Sequence, residues 1–204
     1  MQVHSSDYSN SLRFIRDYGP EYANRAWEFR EQSRVSDTKA TKDIKQALRV
    51  CYRNTICDLR ESGSYIGTDP DTDAGDDIKK ARGAGKLAGI PKEKIEKDIT
   101  EAILSGNLSY YRSVLETISQ YGSVCEDDIE QAKELGKLAK IPPEQIKQDI
   151  QKVTKQGDRA CYRTSLFFAR FGRAHIDKAR RDARLAGFSE EKFKRDLKRV
   201  VPFL

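Results

Sequence analysis

Apolar residues along this chain recur at spacings of three and four, the signature of helices that each bury one stripe. One run places Tyr8, Leu12 and Ile15 at i, i+4 and i+7, and another places Tyr111, Leu115 and Ile118 the same way. A second kind of run carries Ile129, Ala132, Leu135, Leu138 and Ala139 on one face. A third carries Ile95, Ile99 and Ile103. No run alternates with the period of two that a strand requires, so the pattern predicts an all-α protein.

The runs follow one another in a fixed order, and the order repeats. Residues 76–99, DDIKKARGAGKLAGIPKEKIEKDI, are matched by DDIEQAKELGKLAKIPPEQIKQDI at 127–150 and by AHIDKARRDARLAGFSEEKFKRDL at 174–197. A weaker copy lies at 22–44, where Val35, Ala40 and Ile44 keep the apolar places. Before each copy stands a segment opening on a tyrosine, at Tyr8, Tyr52, Tyr111 and Tyr162, and closing on Gly19, Gly63, Gly122 or Gly172. Glycine ends helices because it accepts the positive φ that closes the last turn. Gly89 and Gly187 punctuate the middle run similarly. The last run opens at Ser36, Pro91, Pro142 or Ser189, followed by Asp37, Glu93, Glu144 or Glu190. Serine caps a helix, proline fits its first turn, and an acid there meets the positive end of the helix dipole.

The expected architecture is therefore four tandem three-helix repeat units, about twelve short helices, forming a short α-solenoid or compact helical array. The unit boundaries are 1–51, 52–109, 110–158 and 159–204. An Asp-, Gly- and Thr-rich insertion at 64–75 in the second unit reads as an acidic, solvated loop. Such thin layers suit a composition with only 37% hydrophobic and 34% charged residues. No stretch resembles a membrane span, and the N-terminus lacks the basic-then-apolar pattern of a secretion signal, so a cytoplasmic location without membrane contact is expected.

Charge narrows the choice of partners. The net charge of +6 is concentrated beyond Lys155, where 14 Lys and Arg face 6 Asp and Glu; between Asp58 and Asp77 seven acids face one base. The candidate partner or nucleic-acid surface is accordingly Arg180, Arg181, Arg184, Lys192, Lys194, Arg195, Lys198 and Arg199, with Trp27 as a candidate exposed anchor. The middle and last runs of each unit also resemble a helix-turn-helix in spacing (Gly85, Gly89, Ile95; Ala183, Gly187, Phe193), although any tight helical hairpin asks for the same residues. Glu190 and Glu191 stand where base contacts would begin. Phe167, Phe168, Phe171, Tyr162 and Phe188 are expected in the core.

One polar residue recurs in every unit: Asp43, Asp98, Asp149 and Asp196, each beside an apolar stripe residue. A carboxylate so placed needs a partner. The candidates are Arg53, Arg112 and Arg163, each directly after a unit's first tyrosine, or that tyrosine's own hydroxyl. These are expected to be structural polar positions.

Chemistry beyond binding has little footing. The two histidines, His4 and His175, have no nucleophile or ligand set at useful spacing, and the cysteines (Cys51, Cys57, Cys125, Cys161) have no CxxC spacing and read as reduced. The segment DPDTDAG at 69–75 opens like a calcium loop, but the sixth place is Ala74 and the twelfth is Lys80 where Gly and Glu are needed. No catalytic site, cofactor or metal is expected. The reading is a non-catalytic binding or scaffolding protein for a protein partner, with nucleic acid as the alternative.

Overall fold

The computed structural model describes residues 3–61 and 73–201, and within them every regular element is helical, with no strand among the described residues. Nine α-helices follow in order: α1 (Val3–Asp17), α2 (Ala23–Gln32), α3 (Asp37–Glu61), α4 (Asp73–Leu87), α5 (Lys92–Tyr121), α6 (Glu126–Leu138), α7 (Pro143–Phe168), α8 (Arg173–Leu185) and α9 (Glu190–Val200). Single 3-10 turns lie at Pro20–Tyr22, Gly122–Val124 and Ala169–Phe171.

Three of these helices are twice the expected length. The closing helix of one unit and the opening helix of the next are continuous in α3, α5 and α7, so the boundaries drawn at 51/52, 109/110 and 158/159 fall inside helices. The cause is visible in α3, where nothing from Asp37 to Glu61 breaks a helix. Its stripe of Ile44, Ala47, Leu48, Cys51, Tyr52, Thr55, Ile56 and Leu59 stays buried throughout. Gly106 and Gly157 lie inside α5 and α7, a cost of about 1 kcal/mol each that tertiary packing offsets. The acidic insertion is also shorter than expected at its end, because α4 already begins at Asp73. Residues 62–72, which include Gly63 and the start of the calcium-like segment, lie outside the described residues.

One turn is built four times in the same way. After α2, α4, α6 and α8, a residue with positive φ closes the helix: Arg34 (54°), Gly89 (77°), Lys140 (56°) and Gly187 (73°). The amide after it reaches back to the carbonyl five residues earlier, in the pairs Val35–Arg30, Ile90–Gly85, Ile141–Gly136 and Phe188–Ala183. This is the Schellman closure. Glycine accepts it without strain at two of the four; Arg34 and Lys140 show that the surrounding hairpin imposes it regardless. Pro91 and Pro142 sit just before their helices rather than inside them, and Ser36 and Ser189 accept the amides of Lys39 and Lys192.

The turn folds α2, α4, α6 and α8 each back toward the start of the helix that follows, and small residues set how close they come. Ala26, Ala81, Ala132 and Ala179 are fully buried at matching positions. A Cβ on Gly85 would sit 2.7 Å from Ile95 Cδ1, and one on Gly136 would sit 2.6 Å from Ile146 Cδ1. Leu138, expected on the buried stripe, is only half-buried, and its counterparts Leu87 and Leu185 are each 51% exposed.

The helices group into two compact units, Met1–Asn107 and Leu108–Leu204, divided within α5. In the first, α1 packs on α2 and α3, and α3 packs on α4, over a core that includes Ile15, Leu48, Leu59, Ile95 and Ile99. The second holds two adjoining cores, one around Tyr111, Ile118, Leu135 and Ile146, the other around Tyr162, Ala183 and Phe193. Here α7 crosses the turn after α5 at backbone distance. A Cβ on Gly157 would overlap the Gly122 amide and the Ile118 carbonyl. Buried Asp158 accepts bonds from the Ser123 amide (2.7 Å) and hydroxyl (2.8 Å) beside it.

The two leucines of α6 separate the buried line from its margin. Leu135→Ala should lower stability by about 2–5 kcal/mol, and Leu138→Ala by clearly less, measured by urea denaturation of each variant.

Candidate functional site

The recurring aspartate finds its partner in the tyrosine, not the arginine. Tyr8 donates to Asp43 (3.3 Å), Tyr52 to Asp98 (2.9 Å), Tyr111 to Asp149 (3.2 Å) and Tyr162 to Asp196 (2.9 Å). Each tyrosine lies on a buried stripe, so its ring is inside and only the hydroxyl needs a polar neighbour. The arginine one residue later is turned about 100° away on the helix, and Arg53, Arg112 and Arg163 are all exposed. Each bond joins two successive members of the series α1, α3, α5, α7, α9 across 34 to 46 residues of chain.

The electrostatics keep the four phenols protonated. Burial, with the adjacent carboxylate, pushes the Tyr8 hydroxyl up to about 12, and raises those of Tyr52, Tyr111 and Tyr162 well above the usual tyrosine range. For Asp98, burial works toward a higher value, but hydrogen bonds from Tyr52 and Lys94 outweigh it and lower the carboxyl. Asp196 is lowered foremost by Lys192, then by Tyr162, against the effect of burial. A neutral phenol donating to an ionised carboxylate is a strong tie and a poor proton relay at neutral pH.

The sequence-predicted basic surface divides when placed in space. Arg180 is ion-paired to Glu190 at 3.3 Å and lies 5.3 Å from the Phe193 ring. Lys192 bonds Asp196 at 2.7 Å and sits 4.6 Å over Phe188. Both act within the fold. Arg181 and Arg184 on α8, and Lys194, Arg195, Lys198 and Arg199 on α9, are exposed. Trp27 is 39% exposed, its ring covered on one side by the Arg30 guanidinium at 4.7 Å.

Three phenylalanines expected in the core lie outside it. Phe167, Phe168 and Phe171 are 51%, 42% and 63% exposed, while Tyr162 is buried and Phe188 half-buried. The stripe in this stretch runs through Tyr162, Leu166 and Ala169, matching Tyr111, Leu115 and Ile118, and adjacent phenylalanines on a helix cannot both join it. The rings gather at the end of α7, with Phe167 and Phe168 5.4 Å apart and Phe168 and Phe171 6.0 Å apart. The Arg170 guanidinium lies 3.8 Å over Phe167 and 5.0 Å from Phe171, and His175 on α8 is 6.3 Å from Phe168. Upstream, Lys152, Lys155, Arg159 and Arg163 line an open depression along one exposed face of α7.

Large exposed aromatics recur elsewhere. The residue before the closing glycine of the opening segment is Tyr18 (60% exposed), Tyr121 (53%) or Phe171 (63%). Tyr18 packs its ring against Phe14 and Tyr22 at 5.7 and 6.1 Å, which holds it without covering it.

Among the described residues, no three His, Cys, Asp or Glu side chains come together to hold a metal, and no helix is long and apolar enough to cross a membrane. The four thiols are free; burial raises those of Cys51, Cys125 and Cys161, and the Cys161 thiol points at the Tyr121 carbonyl, 3.3 Å away. Comparison of the chain with protein-family models, with curated proteins and with solved structures gives no match.

Removing the aspartate of a Tyr–Asp pair strands the tyrosine hydroxyl at the edge of the core. Asp149→Ala should cost about 1–3 kcal/mol, visible as a lowered Tm, whereas Glu144→Ala at the exposed start of α7 should leave the melt nearly unchanged. Equal, negligible shifts in the two melts would remove the structural role of the pair.

Proposed function

We propose that the protein is a non-catalytic binding protein, an array of four three-helix units that offers aromatic anchors to a protein partner. The observation that carries this reading is the exposed aromatic placed at the same point in three units, Tyr18, Tyr121 and Phe171. Tyrosine and tryptophan dominate binding energy at protein interfaces because a rigid ring buries much area for little lost freedom. The four Tyr–Asp bonds and four like turns support the array, in which α3, α5 and α7 each serve two neighbouring units. They also support the absence of catalysis, since the chain's recurring buried polar chemistry is consumed in holding helices together. Trp27, with Arg30 against one face, is a further anchor of the same kind.

The alternative, duplex recognition through α9, has less behind it. Arg180 and Lys192 are engaged within the fold, and Glu190 and Glu191 occupy the front of that helix.

The test is a Tyr18→Ala/Tyr121→Ala double variant compared with the unaltered chain in affinity capture from nuclease-treated extract. The expected result is an unchanged Tm with capture of a defined protein reduced by roughly tenfold or more. Undiminished capture of every protein by the folded variant would contradict the reading.

A further inference from the structure

We infer that the face formed by the exposed side of α7 and the aromatic group at its end is a binding site for a single-stranded polynucleotide. The site goes beyond the protein-partner reading and stands without Tyr18 or Tyr121.

Charge comes first. Lys152, Lys155, Arg159 and Arg163 follow one another at steps of three and four, on one face of a helix, and all four are exposed. From first to last they span about 16 Å. Between residues 152 and 184 ten Lys and Arg face three acids. Two of those acids are buried and taken, Asp158 by Ser123 and Asp182 by Lys178, and Glu190 on α9 holds Arg180; none of these pairs engages Lys152, Lys155, Arg159 or Arg163. The occupant is therefore strongly anionic, with its charges in a line.

Aromatic surface then selects among anions. Phe167 lies four residues beyond Arg163 and continues the same face, with Phe168 and Phe171 beside it. Exposed rings in a basic surrounding supply flat platforms for unpaired bases, and the Arg170 guanidinium over Phe167 adds a second stacking surface. A duplex keeps its bases stacked on one another and cannot use such platforms, whereas a single strand can. His175, at the edge of the ring group, adds a hydrogen-bonding edge beside the stacked bases.

The two halves of the site make separable predictions. The test uses the full chain with fluorescent oligo-dT and oligo-U of equal length, a duplex of that length, and vesicles of phosphatidylcholine with phosphatidylserine, over a salt series. The expected result is tighter binding of both single strands than of the duplex, with log Kd rising against log salt at a slope of about 3, four neutralised phosphates at 0.7 each. Arg159→Gln/Arg163→Gln should lower that slope by about 1.4. Phe167→Ala/Phe168→Ala should weaken binding roughly tenfold at fixed salt while leaving the slope unchanged. Phe167→Leu/Phe168→Leu, which keeps apolar packing but removes the flat ring, should weaken it likewise. Duplex bound as tightly as single strand, unaltered affinity in the folded leucine variant, or binding to the vesicles without binding to oligonucleotides would each overturn the inference.

Discussion

A tyrosine ring can be buried cheaply; its hydroxyl cannot. That constraint is met four times here by the same device, a phenol donating to a carboxylate on the next member of the series α1, α3, α5, α7, α9. The ring supplies apolar area to the stripe and the hydroxyl fixes direction, since the bond is satisfied in one register only. The carboxylates sit at the margin of the core, and Lys94 and Lys192 pair with Asp98 and Asp196 and help keep those two ionised. In α3, α5 and α7 the tyrosine stands in the later part of the helix, and the aspartate it meets lies on α5, α7 or α9.

This arrangement spends the molecule's recurring internal polarity on structure and leaves its outer faces to vary. Within the second compact unit, one face of α7 has accumulated cations, and its last residues with the turn after them have accumulated rings that the core does not use. Exposed phenylalanines contribute nothing to the stripe through Tyr162, Leu166 and Ala169, and three neighbouring exposed rings carry the cost of apolar surface held in water, which binding would relieve.

Much of this was legible in the residues. The helical period, the glycine and proline punctuation and the small residues at the helical hairpins specified the helices and the tight turns between α4 and α5 or α8 and α9. The tyrosine as partner of the aspartate was legible too: Tyr52 lies on the stripe and Arg53 lies 100° off it, so only the hydroxyl faces inward. The fused helices are less legible because the repeat period sets unit boundaries without ending the helix there; nothing between Ile44 and Leu59 could end one. Phe167 and Phe168 suit a core by residue type, but the i, i+4, i+7 register through Tyr162, Leu166 and Ala169 excludes them. The contact of Gly157 and Asp158 with the Gly122–Ser123 turn joins elements 35 residues apart and has no counterpart in local pattern.

The account stands on coupling between the two members of each pair. A double-mutant cycle at Tyr52 and Asp98, comparing Tyr52→Phe, Asp98→Ala and both together by urea denaturation, measures it directly. A coupling energy of about 1–3 kcal/mol is expected. Strictly additive losses would contradict the claim that this bond, rather than the apolar stripe alone, registers one long helix against the next.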